Sequence, residues 1–115
     1  DPKTYERIMG EFAMTGAEGV ELLCNNLQPN GKNATFEHAI NGVVNYVSAE
    51  KQKNLRQGVK DGLKAGFRKA STPEIKNFLI SQIQKIADAS DAPFFVENLA
   101  NIATIAAFFG LTFFV

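Results

Sequence analysis

Several chemically useful residue types are scarce in this chain of 115 residues, which has one Cys, one His and no Trp. A single Cys excludes an internal disulfide, and Cys24 with His38 cannot make a four-ligand zinc site without carboxylates or a second chain. No nucleophile, base and orienting partner stand in a recognisable arrangement. We therefore expect a protein that is not an enzyme, with no catalytic, cofactor-binding or metal-binding residues.

The chain also has no excess of charge of either sign, because 12 basic and 12 acidic residues give a net charge of zero. Neutrality argues against a uniformly basic binder of nucleic acid. Residues 98–115 carry no charge but include polar side chains, and a membrane-spanning helix needs about 20 mainly apolar residues, so we expect no transmembrane segment. The hydrophobic share of 45% predicts a packed core, and the length fits a single domain over residues 1–115.

Apolar residues recur at helical spacing in six segments. The predicted helices cover residues 4–14, 17–27, about 35–48 and about 50–70, then run from Pro73 and again from just after Asp91. Residues 28–33 read as a loop, and Thr72 before Pro73 is a helix start signal. The sequence predicts an all-α fold.

A weak internal repeat suggests how these helices are arranged. A shift of 72 residues places Leu22 and Leu23 on Phe94 and Phe95, and 72 is twice a unit of 36. We expect an α-α superhelix, or solenoid, of about three antiparallel helical hairpins plus a C-terminal apolar segment.

The segments FEHAINGVVNYVS, LRQGVKDGLKAGFRKA and EIKNFLISQIQKIADASDAPFFVENL, within residues 36–99, resemble the HEAT-type helical repeats of bacterial exported and cell-envelope proteins. In those repeats a hairpin ends in a small-residue turn and the second helix presents paired apolar residues, as Phe94 and Phe95 do after Pro93. The resemblance implies a scaffold or binding surface, with no catalytic residues to carry over. It also implies a periplasmic or exported location.

The fourth predicted helix carries a row of three glycines, Gly58, Gly62 and Gly66. Each Gly inside a helix costs roughly 1 kcal/mol relative to Ala, so close packing must offset them. They either let a neighbouring helix or a partner approach the backbone or fit a tight hairpin with helix three or five.

The same helix carries a basic row, Arg56, Lys60, Lys64 and Arg68. It forms a polyanion or nucleic-acid site or, as we expect, the solvated face of an amphipathic helix. No aromatic residues interleave with these cations for base stacking, which makes nucleic acid an unlikely partner.

Three other positions have ordinary structural interpretations. We expect Cys24 to be a small buried hydrophobe and His38 to be partly buried or to face its hairpin. Asp88, Ser90 and Asp91 suit a helix cap better than a calcium site.

Apolar residues dominate the C-terminal end, including Phe109, Leu111, Phe113 and Phe114. Solenoid ends normally carry a polar capping face. This segment therefore folds back over the last hairpin, packs against another copy of the chain in a homo-oligomer, or marks truncation of a larger protein. The basic row and these four residues form the candidate interaction surface.

These patterns predict a non-catalytic helical-repeat scaffold for protein–protein interaction, with a protein partner that the sequence does not identify. The alternatives are polyanion binding through the basic row and an accessory domain of a larger enzyme. The zero net charge conceals a basic middle between two acidic ends. Residues 1–49 carry −3, residues 50–85 carry +6 and residues 86–115 carry −3. With this pattern, either the basic middle of one copy stacks against an acidic end of another, or neighbouring repeats of one chain attract one another.

Overall fold

The structure, a computed structural model that describes residues 1–109, confirms the all-α class over that range. It contains seven α-helices: α1 (Pro2–Met14), α2 (Gly16–Asn25), α3 (Ala34–Ser48), α4 (Arg56–Lys69), α5 (Pro73–Ile86), α6 (Ala92–Glu97) and α7 (Leu99–Phe109). Two 3₁₀ turns, Glu50–Leu55 and Ala89–Asp91, precede α4 and α6.

Local signals define several of these boundaries. The Thr72 side chain accepts a hydrogen bond from the Ile75 N–H at 3.3 Å, and Pro73 occupies the first turn, so the predicted start of α5 is confirmed. The predicted loop at residues 28–33 is also present. It is closed by the Asn33 side chain, which bonds the backbone N–H and C=O of Gln28 at 2.9 Å each.

Two predicted helices differ from the structure. The fourth does not run unbroken over residues 50–70, because residues 50–55 form a 3₁₀ turn before α4 begins. The sixth ends at Asn98, whose side chain donates a hydrogen bond to the Phe94 carbonyl at 2.9 Å. The axis bends by 86° there, which turns Leu99 out to 62% exposure although helical spacing had placed it inward.

Alternate helices run parallel in two layers. In one layer α1 lies along α3, where the Tyr5 and His38 rings are 5.5 Å apart and Met9 packs over Gly42 further along both helices. In this layer α3 also packs against α5. In the second layer α2 lies along α4, and this is the most extensive helix contact among the described residues.

The core lies between these layers. Its fully buried side chains come mainly from α3, α4 and α5, and the largest are Phe67, Ile40, Leu63, Leu79, Ile80 and Ile83. The radius of gyration of 13.6 Å is close to the roughly 13 Å expected for a compact domain of this length.

The glycine row of α4 makes its closest contacts with α2, and not with α3 or α5 as the tight-hairpin interpretation expected; Gly66 also lies near Leu79 of α5. A Cβ atom at Gly62 would lie 2.6 Å from the Val20 Cβ and 2.7 Å from the Ala17 carbonyl oxygen. At Gly66 it would lie 2.5 Å from the Cys24 Cβ. The missing side chains therefore let two parallel helices approach at backbone distance, as the other interpretation proposed.

Candidate interaction surfaces

The basic row of α4 is turned toward the rest of the chain. Lys60 is only 2% exposed, and its Nζ lies 2.8 Å from Asp91 Oδ2 and 3.5 Å from Asp88 Oδ2. Lys64 Nζ lies 2.5 Å from Asp91 Oδ1. One carboxylate thus joins both central lysines to the turn before α6. Asp91 lies 31 residues after Lys60 and 27 residues after Lys64.

Asp91 is 1% exposed, so its environment decides whether it is charged. Burial raises the pKa of its carboxyl group. Hydrogen bonds from Lys60, Lys64 and the Asp88 N–H, together with the Lys64 charge, outweigh burial and lower the pKa from 3.8 to about 2. Asp91 is therefore ionised at neutral pH and balances two cations.

The turn before α6 holds this carboxylate in place. Asp88 Oδ1 accepts a hydrogen bond from the Ser90 N–H at 2.9 Å, and Asp91 Oδ2 accepts one from the Asp88 N–H at 2.8 Å, which makes a reciprocal capping box. The side-chain and backbone hydrogen bonds from Ser90 also lower the pKa of Asp88. The capping interpretation of Asp88, Ser90 and Asp91 is confirmed.

The two ends of the basic row also contact the chain itself. Arg56 donates hydrogen bonds to the carbonyls of Val47, Ser48 and Ala49, at 2.6, 3.0 and 3.2 Å, and so closes the C-terminal end of α3. Arg68 lies over the Phe94 ring, with its Cζ 5.2 Å from the ring centroid. Lys64 lies over the same ring at 5.3 Å.

The expectation that this row is a solvated helix face is therefore wrong for Lys60 and Lys64. A polyanion would need their charges, yet both are already paired with a buried carboxylate, so the row no longer favours a polyanion site. Of the two interpretations of the charge pattern, the pairs of Lys60 and Lys64 with Asp91 favour attraction within one chain, here between α4 and the turn before α6.

The Asp91 pairing predicts a pH dependence of stability. The pKa of Asp91 is lower in the folded chain than in the unfolded chain. Its contribution to the free energy of unfolding is therefore full above about pH 4 and is lost as the pH falls toward 2. A shift of this size is worth on the order of 2 kcal/mol. The difference in unfolding free energy between the wild type and Asp91→Asn should shrink across this interval, measured by urea denaturation. A difference that stays constant from pH 5 to pH 2 would contradict the pairing.

A cleft of about 280 Å³ lies between α1, α3 and the 3₁₀ turn after α3. Tyr5 and Tyr46, the only tyrosines of the chain, both line it. Its other lining residues are Glu6, Met9, Gly42, Asn45, Ala49, Lys51 and Gln52. Gly10 and Gly42 leave room for the tyrosines, because a Cβ atom at Gly10 would collide with the Tyr46 ring and one at Gly42 with the Tyr5 hydroxyl oxygen. Sequence reasoning missed this cleft, although Tyr46 stands one turn after Gly42.

An apolar surface covers the outer side of α6 and α7. Val96, Leu99 and Phe108 are 70%, 62% and 74% exposed, and the alanines 100, 103 and 107 are exposed between them. We call this set the α7 surface. Phe109, one of the predicted interaction residues, is also exposed on α7, whereas Leu111, Phe113 and Phe114 lie outside the described residues.

Within residues 1–109, no single helix is both long enough and apolar enough to cross a membrane. The bent pair Ala89–Glu97 and Leu99–Phe109 reaches the required length and composition only when taken together. Among the same residues, no group of three or more His, Cys, Asp or Glu side chains is placed to hold a metal ion.

The two other residues considered in the sequence, Cys24 and His38, both have side chains whose surroundings the structure describes. Cys24 is buried as predicted, and burial, with the nearby charge of Glu21, raises its thiol pKa to about 12, so it is an unreactive thiol at neutral pH. His38 is exposed and lies against the Tyr5 ring of α1.

Comparisons with known proteins return no match: no family model, no curated protein and no solved structure is significantly similar to this chain.

Proposed function

We propose that this chain is a non-catalytic helical-repeat scaffold that binds a segment of a partner protein in the cleft of Tyr5 and Tyr46. The observation that carries the proposal is the placement of both tyrosines in one apolar cleft. Tyrosine is enriched among the residues that dominate protein–protein binding energy. A volume of about 280 Å³ is at the lower end for small-molecule pockets and suits one or two inserted side chains.

We also propose that the helices of this chain are arranged as an α-α superhelix. Parallel packing of alternate helices is what stacked hairpins produce, and here α1 lies along α3 while α2 lies along α4. Contacting residues are offset by 33 positions between Tyr5 and His38, and by 42 between Gly16 and Gly58. These offsets bracket the 36-residue unit of the sequence. That the chain belongs to the HEAT-type repeats, and that it is exported, are both still predictions from the sequence.

Intrinsic fluorescence provides the test, because the chain has no Trp and both tyrosines line the cleft. Peptides without Tyr or Trp, selected from a random display library, should change the tyrosine emission in a saturable way. Tyr5→Ala should weaken their binding at least tenfold, since truncating a central aromatic anchor typically costs 2 kcal/mol or more.

The matched control is Leu22→Ala, an exposed apolar position on α2 in the other layer. It should leave peptide affinity unchanged. Peptides that bind Tyr5→Ala as tightly as the wild type, or that respond equally to both variants, would contradict binding at the cleft.

A further inference from the structure

We propose that residues 87–109 form an arm that opens as one unit while residues 1–86 stay folded, and that opening uncovers Lys60 and Lys64 of the basic row. The arm consists of the 3₁₀ turn Ala89–Asp91, α6 and α7, which follow α5 in the chain. The proposal does not depend on the cleft of Tyr5 and Tyr46.

The arm contributes little to the apolar core. Among the described residues 20 apolar side chains are buried, and only three of them belong to the arm, namely Phe94, Ile102 and Ile105. The helices before the arm already pack against one another, with α2 on α4, α1 on α3, and α5 on both α3 and α4. Removing the arm from its place therefore leaves the main core intact.

Charge provides much of the attachment between the arm and α4. The Asp91 carboxylate pairs with Lys60 at 2.8 Å and with Lys64 at 2.5 Å, and the Glu97 carboxylate lies 3.9 Å from the Arg68 guanidinium. Opening returns these groups to water, and their hydration offsets much of the lost attraction. Apolar surface gains no such compensation from water. An ionic attachment is therefore easier to reverse than an apolar one.

Hydrogen bonds within the arm hold its parts together. The Asp88 N–H donates to the Asp91 carboxylate at 2.8 Å, which closes the turn before α6. The Asn98 carbonyl, at the end of α6, accepts a hydrogen bond from the Ile102 N–H of α7 at 3.0 Å. Ala87, between α5 and this turn, is extended, with φ −73° and ψ 151°. The arm thus moves as one unit about a hinge at Ala87.

The closed arm hides cationic surface. Lys60 is buried beneath it, and only 12% of the Lys64 side chain is exposed. The Phe67 ring of α4 is also buried, 5.7 Å from the Phe94 ring of the arm. Residues 50–85 carry a net charge of +6, so opening exposes part of a basic segment that the acidic groups of the arm otherwise neutralise. The arm therefore acts as an internal cover for the middle of the basic row.

Native-state hydrogen exchange of the full chain tests the proposal. The slowest amides of α6 and α7 should share one free energy of opening, with protection factors at least about tenfold below those of the slowest amides of α3 and α4. An amine-reactive reagent, read by peptide mass mapping, reports the uncovering. It should modify Lys60 and Lys64 with the protection factor of the arm, whereas Lys51, which is exposed, should react without protection.

Two variants separate the arm from the core. Phe94→Leu destabilises the closed state relative to both the open and the unfolded states, so it should lower the protection factors of arm and core amides equally. Val20→Ala acts at the α2–α4 contact, where Val20 packs on Gly62, and destabilises the closed and open states alike. It should lower core protection about tenfold and leave arm protection unchanged. Circular dichroism should show both variants folded.

Any one of three results would overturn the proposal. In the first, arm and core amides of the wild type share one protection factor, which means that the chain opens only as a whole. In the second, Val20→Ala lowers the protection of α6 and α7 as much as that of α3. In the third, Lys60 is modified no faster than the slowest α3 amides exchange, so that opening of the arm does not uncover it.

Discussion

Replacing Asp91 with Asn should lower the free energy of unfolding by about 3–5 kcal/mol, the usual cost of removing one partner from a buried ion pair. Lys60 would keep only Asp88 as an anionic partner, at 3.5 Å, and Lys64 would lose its partner at 2.5 Å. Small domains are stable by only about 5–15 kcal/mol, so the loss is a large part of the total. Guanidinium denaturation followed by circular dichroism measures it.

Asp61→Asn is the appropriate control because it makes the same chemical change on α4 itself. Asp61 is exposed and accepts a hydrogen bond from the Gln57 amide at 2.9 Å, which Asn can also accept. It should change the free energy of unfolding by less than about 0.5 kcal/mol. Equal effects of the two substitutions would show that the burial of Asp91 does not matter to stability.

The size of the expected effect follows from how few side chains attach α6 to the rest of the fold. The α6 helix has six residues, and among its side chains only Phe94 is buried. The Phe94 ring meets the Phe67 ring edge-on at a centroid distance of 5.7 Å, beneath Lys64 and Arg68. Asp91 lies at the start of this contact, so its ion pairs with Lys60 and Lys64 and one aromatic cluster together attach α6 to α4.

Local sequence predicted the helices well because their causes are local. The Thr72 cap and Pro73 act within one turn, and α5 begins in the structure where they placed its start. The bend at Asn98 was missed because apolar spacing continues through it. The backbone leaves the helical conformation at Asn98, with φ −105° and ψ 18°, and the helical pattern has no signature for that change.

The basic row shows why a surface is harder to predict than a helix. An amphipathic pattern separates polar from apolar positions, but it does not say whether polar positions face water or an acidic partner elsewhere in the fold. Lys60 and Asp91 are 31 residues apart. The available signal was charge balance between segments, +6 in residues 50–85 against −3 in residues 86–115.

The glycine row of α4 rests on a similar non-local contact. A helix with three interior glycines needs a compensating contact, but periodicity does not name the helix that makes it. The structure places α2 there, in parallel, with Gly58 next to Gly16 and Gly66 next to Cys24. Because α2 and α4 pack along their whole length, small changes at this contact should have large effects.

Gly62→Ala should destabilise the protein by about 1–3 kcal/mol, although Ala is intrinsically the better helix former by about 1 kcal/mol. The new Cβ would lie 2.7 Å from the Ala17 carbonyl oxygen, and a backbone atom cannot move aside as a flexible side chain does. Gly58→Ala is the matched control one turn earlier, where the nearest atom, the Gly16 Cα, lies at 3.3 Å. It should cost less than Gly62→Ala, because a shift of a few tenths of an ångström relieves the contact and the helix gains propensity. Thermal and urea unfolding of the two variants measures the difference, and a Gly62→Ala protein at least as stable as Gly58→Ala would refute the close α2–α4 packing.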